Sequence, residues 1–259
     1  MTLKAILFDL DDTLVAEEAS AQASFLAACG LAEKKYGLNP EELHVSVRRR
    51  ARELWRSSKA IDYCRTIGAS SWEGLWARFL GDGPSLEYLR HWSPEYRRMT
   101  WSRALSDHGV SDPVLSDELA EAYIKERRQK HLVFPDVEGV LKSLKGAYAL
   151  ALITNGLIDI QYDKIRGANL ENYFDIITVA GEVGVGKPDP RIFQVTLDRL
   201  GVNPDESIMV GNSLKRDITG ARQAGIKGFW VNRSGEEPAG DVRPDAVLTD
   251  FCALPDFLS

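Results

Sequence analysis

The chain has 259 residues, which is enough for one complete hydrophobic core and a second compact unit. Hydrophobic residues make up 44% of the sequence and charged residues 27%, as in ordinary globular proteins, and no apolar run approaches the roughly 18 residues of a membrane span. The formal net charge of −6 argues against a nucleic acid as partner, because such binding depends on clustered lysine and arginine. We therefore expect a globular protein that binds neither membranes nor nucleic acids.

The cysteines and the first residues indicate the compartment. Cys29, Cys64 and Cys252 are odd in number, far apart and in no C-x-x-C pair, so the sequence predicts neither a disulfide framework nor a zinc site. The first four residues run directly into an apolar segment, so we expect no secretion signal. We expect a protein of the reducing cytoplasm.

The first predicted element is a short strand, residues 5–8, whose apolar run ends at acidic residues. The next segment, 16–130, has the pattern of helices, with helix starts predicted at Asn39-Pro40 and Ser93-Pro94, because in each a capping residue precedes a proline in the first turn. This segment contains five of the six tryptophans, which indicates a hydrophobic core of its own. They are Trp55, Trp72, Trp76, Trp92 and Trp101. The helical segment is therefore predicted to be a separate domain.

From Phe134-Pro135 onward the pattern alternates between helices and strands. Such alternation is typical of a parallel sheet with crossover helices. We therefore predict an α/β fold in which one domain, residues 1–15 and 131–259, is interrupted by a helical domain, residues 16–130. The later strands are predicted at 149–153, 176–180, 208–210, 229–231 and 246–248, with helices at 137–145, after 190 and at 217–224.

Two carboxylates stand two positions apart at the end of the first strand. Because side chains of a strand alternate between its faces, Asp9 and Asp11 can point into one crevice. Crowded carboxylates repel each other unless a cation, a shared proton or hydrogen bonds compensate, and a divalent metal ion is the obvious candidate. The alternative is that both acids are turn and capping residues, since aspartate readily accepts backbone hydrogen bonds.

Three later strand ends carry polar residues as well. Thr154 and Asn155 can donate hydrogen bonds to phosphate oxygens, Lys187 supplies a compact cation, and Asn212 and Asp217 offer oxygen ligands. Each has a plain structural interpretation when taken alone, as a turn residue, a solvated cation or a helix-starting acid. Because all of them follow strands in chain order, we expect them to meet the two acids at one edge of the sheet.

These motifs give the chain a resemblance to the haloacid-dehalogenase-like superfamily over nearly its full length. The family motif D-x-D-x-T matches Asp9, Asp11 and Thr13, and the threonine that the family carries at a strand end matches Thr154. The G-K-P-D-P loop and the final acidic motif match residues 186–190 and 211–217. The resemblance implies a Rossmann-like parallel sheet with helices on both faces, interrupted by an α-helical cap domain of type one that closes over the site.

The resemblance also implies a Mg²⁺-dependent phosphatase that hydrolyses a small phosphorylated metabolite through an aspartyl-phosphate intermediate. Asp9 would be the nucleophile and Asp11 the general acid and base. Thr154, Asn155 and Lys187 would bind the phosphate, and Thr154 and Lys187 would also be catalytic.

The metal ligands that the resemblance implies are Asp9, the backbone carbonyl of Asp11 and the side chain of Asp217. One departure concerns Asn212, which stands where the family often has aspartate. Its carbonyl oxygen can still hold the metal ion, a metal-bound water or the neighbouring loop of Lys187. We expect Asn212 to belong to the metal site and the site to bind Mg²⁺ more weakly than one with aspartate.

Several alternatives stay open. A phosphomutase would use the same two acids, whereas a dehalogenase has no leaving oxygen to protonate, so Asp11 favours phosphoryl chemistry over dehalogenation. A non-catalytic phospholigand-binding protein is a third interpretation, motivated by Asn212. A nucleotide-triphosphatase loop is rejected, although residues 181–187 fit G-x-x-x-x-G-K, because Pro188 follows the lysine. Monomer and homodimer are both compatible with the sequence.

Overall fold

The computed structural model of the chain describes residues 2–237 and 241–258. Within these residues, six strands form one parallel sheet in the order β3-β2-β1-β4-β5-β6. The strands are β1 (Ala5–Phe8), β2 (Ala149–Thr154), β3 (Ile176–Val179), β4 (Ser207–Gly211), β5 (Lys227–Val231) and β6 (Ala246–Leu248). The predicted α/β fold with a parallel sheet is confirmed.

Helices connect and flank these strands. A π-helical turn, Leu214–Ile218, comes directly before the last α-helix. In chain order the α-helices are α1 (Glu17–Tyr36), α2 (Pro40–Arg56), α3 (Ile61–Ile67), α4 (Ser71–Gly74), α5 (Pro84–Ser106), α6 (Pro113–Gln129), α7 (Val137–Leu144), α8 (Ile158–Gly167), α9 (Ala180–Val183), α10 (Pro190–Leu200) and α11 (Thr219–Gln223).

Strand β1 lies at the centre of the sheet, and its four apolar residues are completely buried. Parallel sheets are covered on both faces, which favours continuous apolar runs of this kind. The register sets Phe8 beside Leu152 of β2 and Val210 of β4. The strand order reverses at β1, and the crevice beyond the carboxyl ends of the strands at such a reversal is the usual ligand position in this class of sheet.

The described residues fall into two compact units. The sheet unit consists of Met1–Ala16, Leu132–Gly156 and Ala168–Ser259. The helical unit consists of Glu17–His131 and Leu157–Gly167. Helix α8, for which the sequence analysis predicted no element, lies between β2 and β3 in the chain and belongs to the helical unit.

The tryptophans of the helical unit contribute to its core, as predicted. Trp55, Trp76 and Trp101 are buried, and Trp72 and Trp92 are half-buried. Large aromatic side chains of this kind bury much apolar surface per residue, so they stabilise a core built from helices alone.

The predicted helix start at Asn39-Pro40 is confirmed, but the one at Ser93-Pro94 is wrong. The side chain of Asn39 accepts a hydrogen bond from the N–H of Glu41 (2.9 Å), and α2 begins at Pro40. Pro94 instead lies inside α5. Because proline has no N–H for the carbonyl of Arg90, the hydroxyl of Ser93 donates to that carbonyl, at 3.4 Å. The serine that looked like a cap therefore compensates for a missing bond in the helix interior.

A buried network of charged side chains ties α8 to three other helices of the helical unit. Lys164 Nζ lies 2.8 Å from Glu73 Oε1 and 3.4 Å from Glu17 Oε1. Arg127 donates through one nitrogen to both carboxylate oxygens of Glu17, at 2.8 and 2.9 Å, and its guanidinium lies 4.9 Å from the ring of Trp76. Since two cations face two carboxylates, the network compensates its own charge.

In the part of the chain that the structure describes, no helix combines the length and the apolar character needed to span a bilayer. The three cysteines are free thiols, with Cys29 and Cys64 buried and Cys252 exposed.

Candidate active site

The acid motif follows the central strand directly. The N–H of Asp9 donates to the carbonyl of Val210 (2.9 Å), so the bonding to β4 continues one residue beyond β1. The chain then turns at Asp12, whose φ is 59°, a left-handed conformation that aspartate tolerates better than most residues. Asp9 is thereby buried at the end of the strand, and Asp11 is half-buried in the turn.

Lys187 joins the ends of three strands. Its Nζ lies 2.6 Å from Oδ1 of Asp9 and 2.8 Å from Oδ1 of Asp217, and it donates to the carbonyl oxygen of Ile153 at 2.8 Å. Asp9 follows β1, Asp217 follows β4, and Ile153 is in β2. The three charged side chains are at most 9% exposed. The structure therefore brings Asp9, Lys187 and Asp217 together in one buried cluster, which we call the Lys187 cluster.

Asn155 holds the loop that carries Lys187. Its Oδ1 accepts a hydrogen bond from the backbone N–H of Lys187 (2.7 Å), and its Nδ2 donates to the carbonyl of the same residue (2.9 Å). Thr154 is completely buried at the end of β2, and its hydroxyl donates to the carbonyl of Asn155 (3.3 Å). The sequence did not predict that Asn155 anchors a loop. That Asn155 binds phosphate stays a prediction. The second N–H of its Nδ2 would be the donor to a phosphate oxygen.

The hydroxyl of Thr13 connects Asp9 to the loop after β4. It donates to Oδ2 of Asp9 (2.9 Å) and accepts from the backbone N–H of Asn212 (3.0 Å). The contact between this hydroxyl and Oδ1 of Asn212 is longer, 3.4 Å, and a hydroxyl has only one hydrogen to donate. The indole N–H of Trp230 donates to the carbonyl of Asn212 (2.8 Å). The backbone of Asn212 is therefore fixed beside Thr13, the residue that donates to Asp9. That Asn212 binds the metal ion stays a prediction.

Asp217, the third member of the Lys187 cluster, lies in the π-helical turn that follows β4. The sequence analysis predicted a helix that starts at Asp217, but the helical chain begins earlier, with the π-helical turn Leu214–Ile218. The N–H of Ser213 donates to Oδ2 of Asp217 (2.8 Å) and orients the carboxylate. A Cβ on Gly211 would overlap the same carboxylate. The motif glycine is thus required by the close approach of Asp217.

Burial and charge shift the protonation of this cluster. Burial, followed by the negative charge of Asp9, raises the pKa of Asp217 to about 6, although Lys187 acts in the opposite direction. Burial alone would lower the pKa of Lys187, but the charges of Asp217 and Asp9 outweigh it and raise that pKa above its ordinary value. Lys187 is therefore a permanent cation at neutral pH. The raised pKa of Asp217 means that its environment disfavours the ionised form of this carboxyl group.

The donor set of the cluster is compatible with Mg²⁺. Two buried carboxylates face a single ammonium group, which leaves one negative charge uncompensated. Within the described part of the chain, Oδ1 of Asp217 has no hydrogen-bond donor in good geometry, although Lys187 Nζ lies 2.8 Å away. Among residues 2–237 and 241–258, no group of three or more acidic, histidine or cysteine side chains is arranged to hold a metal ion. Mg²⁺ fits such a set, because it commonly takes only one or two carboxylates from a protein and keeps several waters.

Some contacts at the site carry no sequence signal. The carbonyl of Ile153 and the indole of Trp230 belong to buried strands and look like ordinary core positions. Thr13 was visible as part of a motif, but its bonds to Asp9 and Asn212 depend on how two separate loops meet.

Comparison with known proteins identifies the class of the chain. Residues 3–225 match the family model described as haloacid dehalogenase-like hydrolase. The chain belongs to this family, and it is a hydrolase. The resemblance on which the sequence predictions relied is thereby confirmed.

Individual relatives include both phosphatases and dehalogenases. The chain is 37% identical over 250 residues to the phosphoserine phosphatase of Thermus thermophilus, with 96% of each protein covered. It is 26% identical to the N-acylneuraminate-9-phosphatase of Mus musculus, over 99% of this chain and 94% of that protein. The crystal structure of the 2-haloacid dehalogenase from Pseudomonas syringae pv. Tomato DC3000 is similar with a TM-score of 0.64 and 27% identity, covering 99% of this chain and 98% of that one.

Proposed function

We propose that this hydrolase is a Mg²⁺-dependent phosphatase that hydrolyses a small phosphomonoester through an aspartyl-phosphate at Asp9. The observation that carries the proposal is the Lys187 cluster, in which one buried cation contacts both Asp9 and Asp217. A carboxylate can attack a phosphate dianion only if their repulsion is offset, and a buried cation beside the nucleophile does this. The names of two relatives, a phosphoserine phosphatase and an N-acylneuraminate-9-phosphatase, support a phosphate ester as the substrate.

Asp9 acts first in the proposed reaction. A bond forms between its carboxylate and phosphorus while the bond from phosphorus to the leaving oxygen breaks on the opposite side. One oxygen of Asp9 is paired with Lys187 and the other with Thr13, so the carboxylate is oriented before the substrate arrives. Thr154 and Asn155 are the proposed hydrogen-bond donors to the phosphoryl oxygens, and the Thr154 hydroxyl then exchanges its bond to the carbonyl of Asn155 for one to phosphate.

Asp11 transfers the protons. It gives a proton to the leaving oxygen, and it then takes one from the water that attacks phosphorus and releases phosphate from Asp9. General acid and base catalysis of this kind typically contributes about 10²- to 10⁴-fold in rate. Asp11 is less buried than Asp9, which suits a group that must reach substrate and water.

The proposed Mg²⁺ ligands are Asp9, the backbone carbonyl of Asp11 and Asp217, with Asn212 as a further ligand directly or through water. When bound, the ion supplies positive charge to the phosphate oxygens. Because Asn212 brings no charge where the family often has aspartate, we expect a lower affinity for Mg²⁺.

The similarity to a 2-haloacid dehalogenase motivates one rival function. Dehalogenation would use Asp9 as nucleophile but has no leaving oxygen for Asp11 to protonate, so Asp11 favours the phosphatase. A phosphomutase would use the same acids and stays an alternative. The protein is proposed to act in the cytoplasm, as a monomer or a homodimer.

A substrate panel tests the proposal. Purified protein is incubated with phosphomonoesters, phosphoserine and sugar phosphates among them, and with 2-chloropropionate, each with Mg²⁺ and with a chelator. We expect phosphate release that is lost with chelator and reduced at least about 10⁴-fold in Asp9→Asn, since that variant lacks the nucleophile. Asp198→Asn, which changes an exposed aspartate of α10, is the matched control and should stay active.

Equal turnover by wild type and Asp9→Asn would end the assignment of the nucleophile. Release of chloride from 2-chloropropionate without phosphatase activity would favour the dehalogenase instead.

A further inference from the structure

Arg233, two residues after β5, makes contacts that the proposed reaction does not use. Its Nη1 and Nη2 donate to the two carboxylate oxygens of Asp136, at 2.6 and 3.0 Å. Its Nη2 also donates to the backbone carbonyl of Thr13, at 3.3 Å. The guanidinium carbon lies 4.0 Å from the centre of the Phe134 ring. Arg233 is therefore held by three residues that are distant from it in the sequence.

Two paired segments meet at this guanidinium. The chain leaves the sheet unit through residues 14–16 and returns through residues 132–134. The two segments pair antiparallel, with the N–H of Ala16 donating to Leu132 (2.7 Å) and the N–H of Phe134 donating to Leu14 (3.1 Å). Arg233 contacts Thr13, just before the outgoing segment, and Phe134, at the end of the returning one. Arg233 therefore contacts both paired segments, through Thr13 on one side and Phe134 on the other.

The contact with Thr13 leads to Asp9. Arg233 binds the carbonyl of Thr13, and the hydroxyl of the same residue donates to Oδ2 of Asp9 at 2.9 Å. Because backbone and side chain of one residue move together, fixing the Thr13 carbonyl also limits where its hydroxyl can point. The orientation of the Asp9 carboxylate thus depends on a contact outside the Lys187 cluster.

We infer that Arg233 is a positioning residue for the proposed reaction, holding Thr13 so that its hydroxyl keeps Asp9 in the orientation for attack. This inference rests on the proposed function for its kinetic consequence, but its structural content concerns Thr13 and Asp9 alone. Asp136 has a supporting part, since one of its oxygens also accepts the N–H of Phe251 (2.8 Å) and is thereby fixed.

The contacts require arginine and not merely a positive charge. A guanidinium presents several N–H groups in a rigid plane, so it can bind a carboxylate with two nitrogens, reach a carbonyl and stack on a ring at once. A lysine ammonium is a point charge without a plane and cannot reproduce this set. We therefore expect Arg233→Lys to behave like Arg233→Ala and unlike wild type.

The first test compares steady-state kinetics of Arg233→Ala, Arg233→Lys and wild type on the best substrate of the panel. We expect kcat to fall about 10- to 100-fold in both variants, the usual effect of losing a group that orients a catalytic side chain, while KM stays near its wild-type value. Arg199→Ala is the matched control, because Arg199 is an exposed arginine of the sheet unit that also donates to a backbone carbonyl, that of Ile177. It should keep the wild-type kcat.

Chemical rescue separates positioning from general loss of structure. Arg233 borders a cavity of about 430 Å³ that is also lined by Asp12 and Asn212, so a small cation can enter. Millimolar guanidinium should restore part of the kcat of Arg233→Ala, whereas sodium chloride at the same ionic strength should not. A destabilised chain would not be rescued by guanidinium, which favours unfolding.

A crystal structure of Arg233→Ala decides the inference independently of activity. We expect the Thr13 hydroxyl to have left Oδ2 of Asp9. An unchanged Thr13–Asp9 hydrogen bond, or a wild-type kcat in Arg233→Ala, would overturn the inference. If wild type hydrolyses no phosphomonoester, the proposed function fails, and the position of Thr13 in this variant still decides the role of Arg233.

Discussion

His44 lies in the core of the helical unit, and among residues 2–237 and 241–258 neither of its ring nitrogens has a hydrogen-bond partner, the carboxylate of Glu41 being 3.9 Å from Nδ1. Its ring stacks on Phe25 with the centroids 4.8 Å apart. Burial, followed by the charge of Arg48, lowers the pKa of His44 below its ordinary value, although Glu41 and Glu18 act in the opposite direction. The imidazole is therefore neutral in the folded chain at neutral pH, and its role is packing.

Replacing His44 by phenylalanine should reduce the sensitivity of the fold to acid. In the unfolded chain the imidazole of His44 takes up a proton at about pH 6.5, and in the folded chain it does so only at lower pH. The unfolded state therefore binds more protons in this window, and the free energy of unfolding falls as the pH drops through it. Between about pH 7.5 and about pH 5.5, we expect the free energy of unfolding of His44→Phe to fall less than that of wild type, by on the order of 1 kcal/mol. Urea unfolding at the two pH values measures this difference.

The exposed His91 provides the matched control. His91→Phe should lose as much stability between the two pH values as wild type does. If His44→Phe lost as much stability as wild type between the two pH values, protonation of His44 would not contribute to the acid sensitivity of the fold.

The charged residues of the candidate site were the easiest to predict. Asp9, Lys187 and Asp217 follow separate strands, and the carboxyl ends of parallel strands share one edge, so their meeting was expected from the alternation of elements. The loop-anchoring bonds of Asn155 and the contacts of Arg233 were not predictable. They depend on how loops from distant parts of the chain fold against one another, and local patterns carry no information about that.

Helix α8 is attached to the helical unit by charges as well as by apolar packing. Lys164 of α8 is completely buried and is held by Glu73 and Glu17. Removing one partner from a buried ion pair leaves the other charge buried and uncompensated, which is strongly destabilising.

We expect Lys164→Met to destabilise the chain by about 3 to 5 kcal/mol in urea unfolding, because Glu73 then loses its cation. Arg166→Met, an exposed change in the same helix, should stay within about 0.5 kcal/mol of wild type. Adding Glu73→Gln to Lys164→Met should recover part of the loss, since the unpaired charge is gone. A Lys164→Met protein as stable as the Arg166→Met protein would show that the network contributes nothing.

The strands were predicted more accurately than the helices. Buried parallel strands are short apolar runs bounded by polar residues, and this pattern located all strands of the described sheet within a few residues. Ser93-Pro94 misled because a capping pair and a proline inside a helix look alike until the donor to the Arg90 carbonyl is known. Helix α8 was missed although Asp159 in its first turn and Lys164 and Arg166 in its last turn are ordinary helix signals.

The meeting of Asp9 and Asp217 is a property of the whole topology. The two residues are far apart in the sequence, and they become neighbours because β1, which pairs with β2 on one side, pairs with β4 on the other. Any fold in which β1 lay at an edge would leave one of the two carboxylates, or Lys187, outside the cluster. The proposed chemistry therefore depends on the reversal of strand order at β1.

The most direct test of the account is to trap the phosphoryl group on Asp9. Wild-type protein is mixed with Mg²⁺ and its substrate, stopped with acid during turnover and reduced with borohydride, which converts an aspartyl-phosphate into homoserine, and the peptides are then mapped by mass spectrometry. We predict homoserine at position 9 alone, and none without substrate. Phosphate release with no modification at position 9, or with the phosphoryl group on another residue, would contradict the account.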